Sequence, residues 1–140
     1  MLSALTLSCS KSNEANNNSY YFKFKLDNVE MSASEYGAST ANNNLNLTAV
    51  GSNFTSGISN AISNYGNYTG VGNYLFNNDQ YQMLFNLDGL NAYSATSGQL
   101  NITKSNSTEI EGTFSCTLTN LSDTTITKQI TNGVFILPLQ

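Results

Sequence analysis

The chain contains no histidine, no arginine and no tryptophan, and its single proline is Pro138. Without histidine the commonest general acid–base side chain is missing. Without arginine there is no planar fork to grip a carboxylate or phosphate through two bonds. Both absences weigh against catalysis. Charge is also scarce: five lysines and nine acidic residues make up 10% of the chain, against about 25% in ordinary globular proteins. With a net charge of −4 and no lysine cluster, nothing can neutralise a run of phosphates, which excludes nucleic acid as a partner. The same shortage argues against a polybasic membrane-binding face.

Polarity comes instead from 22 asparagines, 18 serines and 15 threonines. Such a surface is neutral and dense in hydrogen-bonding groups. An A/T-rich coding sequence and selection for a polar extracellular face both account for it. A chain of 140 residues points to one domain. A domain of about this size buries roughly two-thirds of its unfolded surface, so it folds without a metal or a disulfide.

Met1–Ser8 is apolar or small throughout and ends at Cys9. It looks like the tail of a bacterial lipoprotein signal peptide, in which a small residue (here Ser8) precedes a cysteine that carries lipid on its sulfur. Leu7 lies two positions before the cysteine where the usual leucine lies three. A secretory signal has a charged start and an apolar stretch of about 7–15 residues. Only eight uncharged residues precede Cys9, so the expectation is a truncated signal remnant over 1–8, lipid on Cys9, and more signal upstream. Residues 10–19 hold no apolar side chain larger than alanine and read as a flexible tether. The alternative is a short tail with a chance thiol. No stretch reaches the roughly 18 apolar residues of a membrane-spanning helix.

From Tyr20 to Gln140 the apolar residues alternate with period two, the mark of half-buried strands. Phe22, Phe24 and Leu26 face one way; Asp27-Asn28 is a hairpin pair that tolerates positive φ, and Val29, Met31 and Ala33 resume the apolar face. Residues 34–44 read as loop, and Leu45, Leu47 and Ala49 as strand. Residues 58–62 fit either a strand or one turn of helix, with strand preferred. Residues 71–76 and 81–87 read as the arms of a hairpin. Residues 91–97 read as loop or irregular strand, followed by a strand from Leu100 and another over 110–118 with Gly112 as its bulge. Asn132-Gly133 marks either a hairpin or a bend in one strand. Eight to ten short strands predict an all-β, antiparallel sandwich or flattened barrel. Its expected core is Phe22, Phe24, Leu26, Leu47, Leu84, Ile102, Phe114, Leu118 and Phe135. Phe114, Cys116 and Leu118 share a face, so Cys116 reads as a small buried hydrophobe.

Several blocks resemble a family of small secreted lipoproteins of unknown function from Bacteroidetes, especially flavobacteria. They are 24–33 (FKLDNVEMSA), the glycine–tyrosine segment 64–74, 93–104, and 111–115 (EGTFS) with 130–135 (ITNGVF). Cys116 stands where that pattern carries an aromatic or apolar residue. The resemblance implies a lipoprotein of the bacterial cell envelope, expected in the outer membrane. It implies no activity, cofactor or site residue.

Four groups of residues qualify as candidate sites. Glu109 and Glu111, on one strand face about 6.5–7 Å apart, are within range of a glycosidase pair, although such pairs usually come from different elements. Asp79 and Asp88 stand in turns where oxygen ligands can hold Ca²⁺, yet turn acids also serve their own backbone. Asp123-Thr124-Thr125 resembles the O-glycosylation site of exported Bacteroidetes proteins, with Thr124 as acceptor. Seven Asn-x-Ser/Thr triplets also occur, which matter only in a eukaryotic secretory route. Tyr65, Tyr68 and Tyr74, set among asparagines and glycines, form a candidate glycan platform; the competing reading puts these rings in the core. The functional expectation is a non-catalytic, lipid-anchored envelope or surface protein that binds a protein or glycan, with no cofactor and no metal. A purely structural or assembly lipoprotein is the alternative, and a carboxylate-based hydrolase a remote one.

Overall fold

The computed structural model describes residues 20–60, 66–77 and 80–140. Ten strands form one sheet: β1 (Tyr21–Leu26), β2 (Val29–Ser32), β3 (Glu35–Ala41), β4 (Asn44–Val50), β5 (Phe54–Asn60), β6 (Gly72–Leu75), β7 (Tyr81–Leu87), β8 (Asn91–Ser105), β9 (Glu109–Asn120) and β10 (Thr127–Pro138). Their order is β2-β1-β10-β9-β8-β7-β5-β4-β3, with β6 also paired to β8 and every ladder antiparallel. The sheet curls into a flattened half-barrel. Past the start of β1, the chain after β10 takes β3 as its neighbour: Ala38 bridges Leu139, and the Gln140 N–H donates to the Ala38 carbonyl at 3.0 Å. The all-β expectation holds.

All seven phenylalanines are buried, and they show how far the sheet curls. Phe24 on β1 meets Phe54 on β5 at 5.1 Å and Phe85 on β7 at 5.9 Å between ring centroids. Those strands stand on opposite walls, so one core fills the interior. Phe22, Phe114 and Phe135 extend it along β1, β9 and β10.

Two strands change the parity of their inward residues. On β8, Tyr93 and Ala95 are buried, then Leu100 and Ile102; on β10, Ile130 is buried, then Phe135 and Leu137. An odd step between inward residues requires an extra residue in the strand, and register shifts occur at these places, between Ala95 and Ser97 and between Ile130 and Gly133. Asn132-Gly133 therefore bends one strand and closes no hairpin. Gly98 stands beside the first shift with φ of +122°, where a Cβ would lie 2.2 Å from the Ser115 carbonyl oxygen. Only glycine fits there.

Five expectations are corrected. Leu84 is not in the core: it is 50% exposed, because Tyr81, Met83 and Phe85 on the other face of β7 carry far more apolar surface and point inward. Residues 34–44 are not all loop; they form β3 and a turn at Asn42-Asn43, both in left-handed backbone, which leads into β4. Residues 71–76 and 81–87 are not hairpin partners. β6 and β7 lie end to end along the same edge of β8 and meet at the Phe76–Tyr81 bridge. Gly112 is itself in register with Ile102 and Phe135, and the neighbouring bulge lies across from it on β8, between Ile102 and Lys104. Its Cβ would meet the Asn101 carbonyl and the Phe135 ring, so it is a close-approach glycine. Val29 opens the short edge strand β2 and is exposed. Asp27 and Asn28, both at positive φ, form the expected hairpin turn. Residues 58–60 are strand, and 61–62 lie outside the described residues.

Candidate functional site

The outer face of β5, β7 and β8 brings two exposed leucines, Leu84 and Leu121, around one hollow. Strand alternation sends Phe54, Ile58, Met83, Phe85 and Tyr93 inward and leaves Gly57, Leu84, Asn86 and Ala92 outward. Gly57 stands opposite Leu84, and Thr55 opposite Asn86. Leu121, just past β9, is brought beside this face because its N–H donates to the Ala92 carbonyl at 2.9 Å. Leu84 and Leu121 are 50% and 58% exposed. Between them lies a hollow of about 390 Å³ that also includes Gly57 and Ala92. Nothing lies within 4 Å of the point where a Cβ on Gly57 would stand, so the missing side chain leaves the floor open.

A second, less apolar hollow of about 530 Å³ adjoins the first and shares Thr55 and Asn86 with it. It runs to the turns at 51–53 and 88–89, which are tied together by the Asp88 N–H donating to the Asn53 carbonyl at 2.7 Å. The two hollows make one trough, apolar at the Leu84–Leu121 end and polar at the Asp88 end. The side-chain oxygen of Asn86, at the junction, is buried without a hydrogen-bond partner. The Asp88 carboxylate pairs with no lysine among the described residues. Lys104 and Lys128 are engaged elsewhere, the first with Glu109 and Glu111, the second with Asp27.

The tyrosine segment is arranged differently from the expected platform. Tyr68 and Tyr74 are 8% and 7% exposed and belong to the core. Their rings lie 5.7 Å apart, and Tyr74 packs on the buried Tyr81 at 4.8 Å. The Tyr74 hydroxyl donates to the Gly70 carbonyl at 2.7 Å and accepts from the Thr69 N–H at 3.2 Å, while that of Tyr68 donates to Ser105 Oγ at 2.9 Å. Burial pushes the Tyr68 and Tyr81 hydroxyls above the ordinary tyrosine range. A sugar stacks on an exposed ring face, and neither Tyr68 nor Tyr74 offers one. Tyr65 lies outside the described residues, as do Cys9 and Asp79.

The other candidates are placed as follows. Glu109 and Glu111 share Lys104, whose Nζ lies 2.8 Å from Glu109 Oε2 and 3.4 Å from Glu111 Oε2. That lysine holds the Glu109 carboxyl below its usual range, the reverse of what a general acid needs. Asp88 belongs to no group of three acidic or metal-ligating residues among those described. Thr124 is exposed in the β9–β10 loop, where Asp123 accepts from the Thr125 N–H and hydroxyl at 3.0 and 2.6 Å. Cys116 is buried, with Sγ 3.8 Å from Met83 Sδ, and burial pushes its thiol up to about 12.

Comparison with protein-family models, curated proteins and solved structures gives no match for this chain. The trough is hidden from a reading of the sequence that places Leu84 in the core. The signal was present nonetheless, as one leucine set between Gln82 and Asn86 on the polar face of a strand whose other face is Tyr, Met and Phe.

Proposed function

We propose that this chain is a non-catalytic binding module of the bacterial cell envelope, held to the membrane by lipid on Cys9 and engaging an envelope partner through the trough over β5, β7 and β8. The observation that carries the binding role is the grouping of Leu84 and Leu121 around the open floor at Gly57. Single exposed leucines are ordinary, but leucines gathered around a concave surface mark an interaction site. The anchor rests on the Leu-Ser-Cys junction, the polar tether over 10–19 and the resemblance to Bacteroidetes lipoproteins. With Tyr68 and Tyr74 buried, the aliphatic lining of the trough favours a protein partner over a glycan.

A photo-crosslinking amino acid at position 121 tests the binding role, with position 113 on the outer face of β9 as control. In the native host, position 121 yields a discrete adduct that weakens when Leu84 is changed to Ser; position 113 yields none. Equal, diffuse labelling from both positions contradicts the reading and returns the chain to a purely structural lipoprotein. For the anchor, an alkyne fatty acid fed to cells expressing the chain behind a complete export signal labels the wild type and not Cys9→Ala.

A further inference from the structure

We propose that the trough takes an extended polypeptide segment carrying an aliphatic side chain and, about four residues away, a lysine or arginine. This rests on the binding role proposed above and names the class of its partner. Three features of the trough each define a part of the segment. The hollow over Gly57, flanked by Leu84, Leu121 and Ala92, is open at its floor and admits an aliphatic side chain. Asp88 lines the other end with a carboxylate that no described lysine neutralises, in a trough whose lining includes no cation. Charge complementarity there calls for a cation. Between them, the Asn86 amide has an oxygen without a donor. Rotation about its last torsion presents either the oxygen or the NH₂ group, which suits the alternating N–H and C=O of a main chain.

The spacing follows from the strand. Leu84 and Asp88 are four residues apart along β7 and the turn that follows it, and at about 3.3 Å per extended residue the apolar and acidic ends stand at most about 13 Å apart. An extended segment spans that distance in four residues. A neutral sugar can donate hydroxyls to Asp88 but brings no charge to neutralise it, whereas one basic, partly apolar segment supplies the aliphatic group, the main-chain amides and the cation together.

The test uses the ¹⁵N-labelled full chain titrated with three peptides: acetyl-Leu-Ala-Ala-Ala-Lys-amide, its Lys→Gln form and its Leu→Ser form. The first peptide shifts the amide signals of Gly57, Asn86 and Gly89 saturably. The Lys→Gln and Leu→Ser forms each bind at least fivefold more weakly. Asp88→Asn, at a position whose carboxylate forms no ion pair among the described residues and whose left-handed φ asparagine tolerates, removes the difference between the Lys and Gln peptides. Equal binding of those two peptides to the wild type overturns the proposal, as does saturation of the same signals by a neutral oligosaccharide with no response to the peptides. If the crosslink at position 121 still forms in that case, the binding face stands and only the occupant is wrong.

Discussion

The inner and outer faces of β5, β7 and β8 are built from alternate residues of the same strands, yet they are specified very differently. Inward, Phe54 and Phe85 pack on the Phe24 ring of β1, Phe24 and Phe54 at 5.1 Å and almost perpendicular, and Met83 and Tyr93 are buried on the same face. Outward, Gly57, Leu84 and Asn86 leave an open floor, an exposed leucine and an unpartnered oxygen. Removing a methylene from the first face leaves a cavity that its neighbours only partly fill. Removing one from the second alters a surface that water already touches. The inner face therefore sets stability, and the outer face is free to be set by something else.

The largest effects should come from the inner wall. Phe24→Ala should lower unfolding free energy by about 3–5 kcal/mol in urea titrations. Leu84→Ala should change it by no more than about 0.5 kcal/mol. If the two losses are similar, the division between faces fails. Gly98→Ala should follow at about 1–3 kcal/mol, because it combines a strained φ with a Cβ pressed onto the Ser115 carbonyl. Tyr74→Phe should cost about 1 kcal/mol through the lost bond to Gly70.

Cysteine sharpens the same comparison along one strand. The folded thiol of Cys116 is pushed up to about 12, above its unfolded value near 9, because burial disfavours the thiolate. Its contribution to stability is complete below about pH 9 and lost as pH rises towards 12. In a Cys9→Ser background, Cys116 should resist Ellman's reagent at pH 8 until the chain unfolds. A cysteine introduced by Thr117→Cys, one residue on and facing outward, should react at once. Alkaline melts of Cys116→Ala should show a shallower decline than the parent.

Much of the fold could be read from alternation alone. Phe22, Phe24, Leu26, Leu47, Ile102, Phe114, Leu118 and Phe135 are buried as expected, because regular strands with one rich and one poor face leave little freedom. The reading failed where local signals compete. On β7 both faces carry apolar residues, and Tyr81, Met83 and Phe85 outweigh Leu84, which turns the leucine outward. The run 34–44 looked like loop because Gly37, Ser39 and Thr40 are small, yet β3 is held by its ladder with β4 and by the chain after β10, partners invisible to local pattern. The tyrosines of 68–74 looked like display residues because asparagine and glycine surround them. Those neighbours instead tie the segment down: Asn60 Nδ2 donates to Asn67 Oδ1, and the Gly66 N–H to Asn44 Oδ1. The trough itself depends on Leu121 being brought to Ala92 across the sheet, which no linear spacing reveals.

The most direct measurement of the central claim pairs two readouts on one protein, Leu84→Ser combined with Leu121→Ser. Its melting temperature and its crosslinking to the proposed partner, through a crosslinker at position 55, are recorded beside those of the parent. The expected result is a melting temperature within about 2 °C of the parent, since exposed sites contribute little, and a crosslink yield reduced at least tenfold. A drop of many degrees with an unchanged yield would contradict it, showing that these leucines hold the fold and that the partner binds elsewhere.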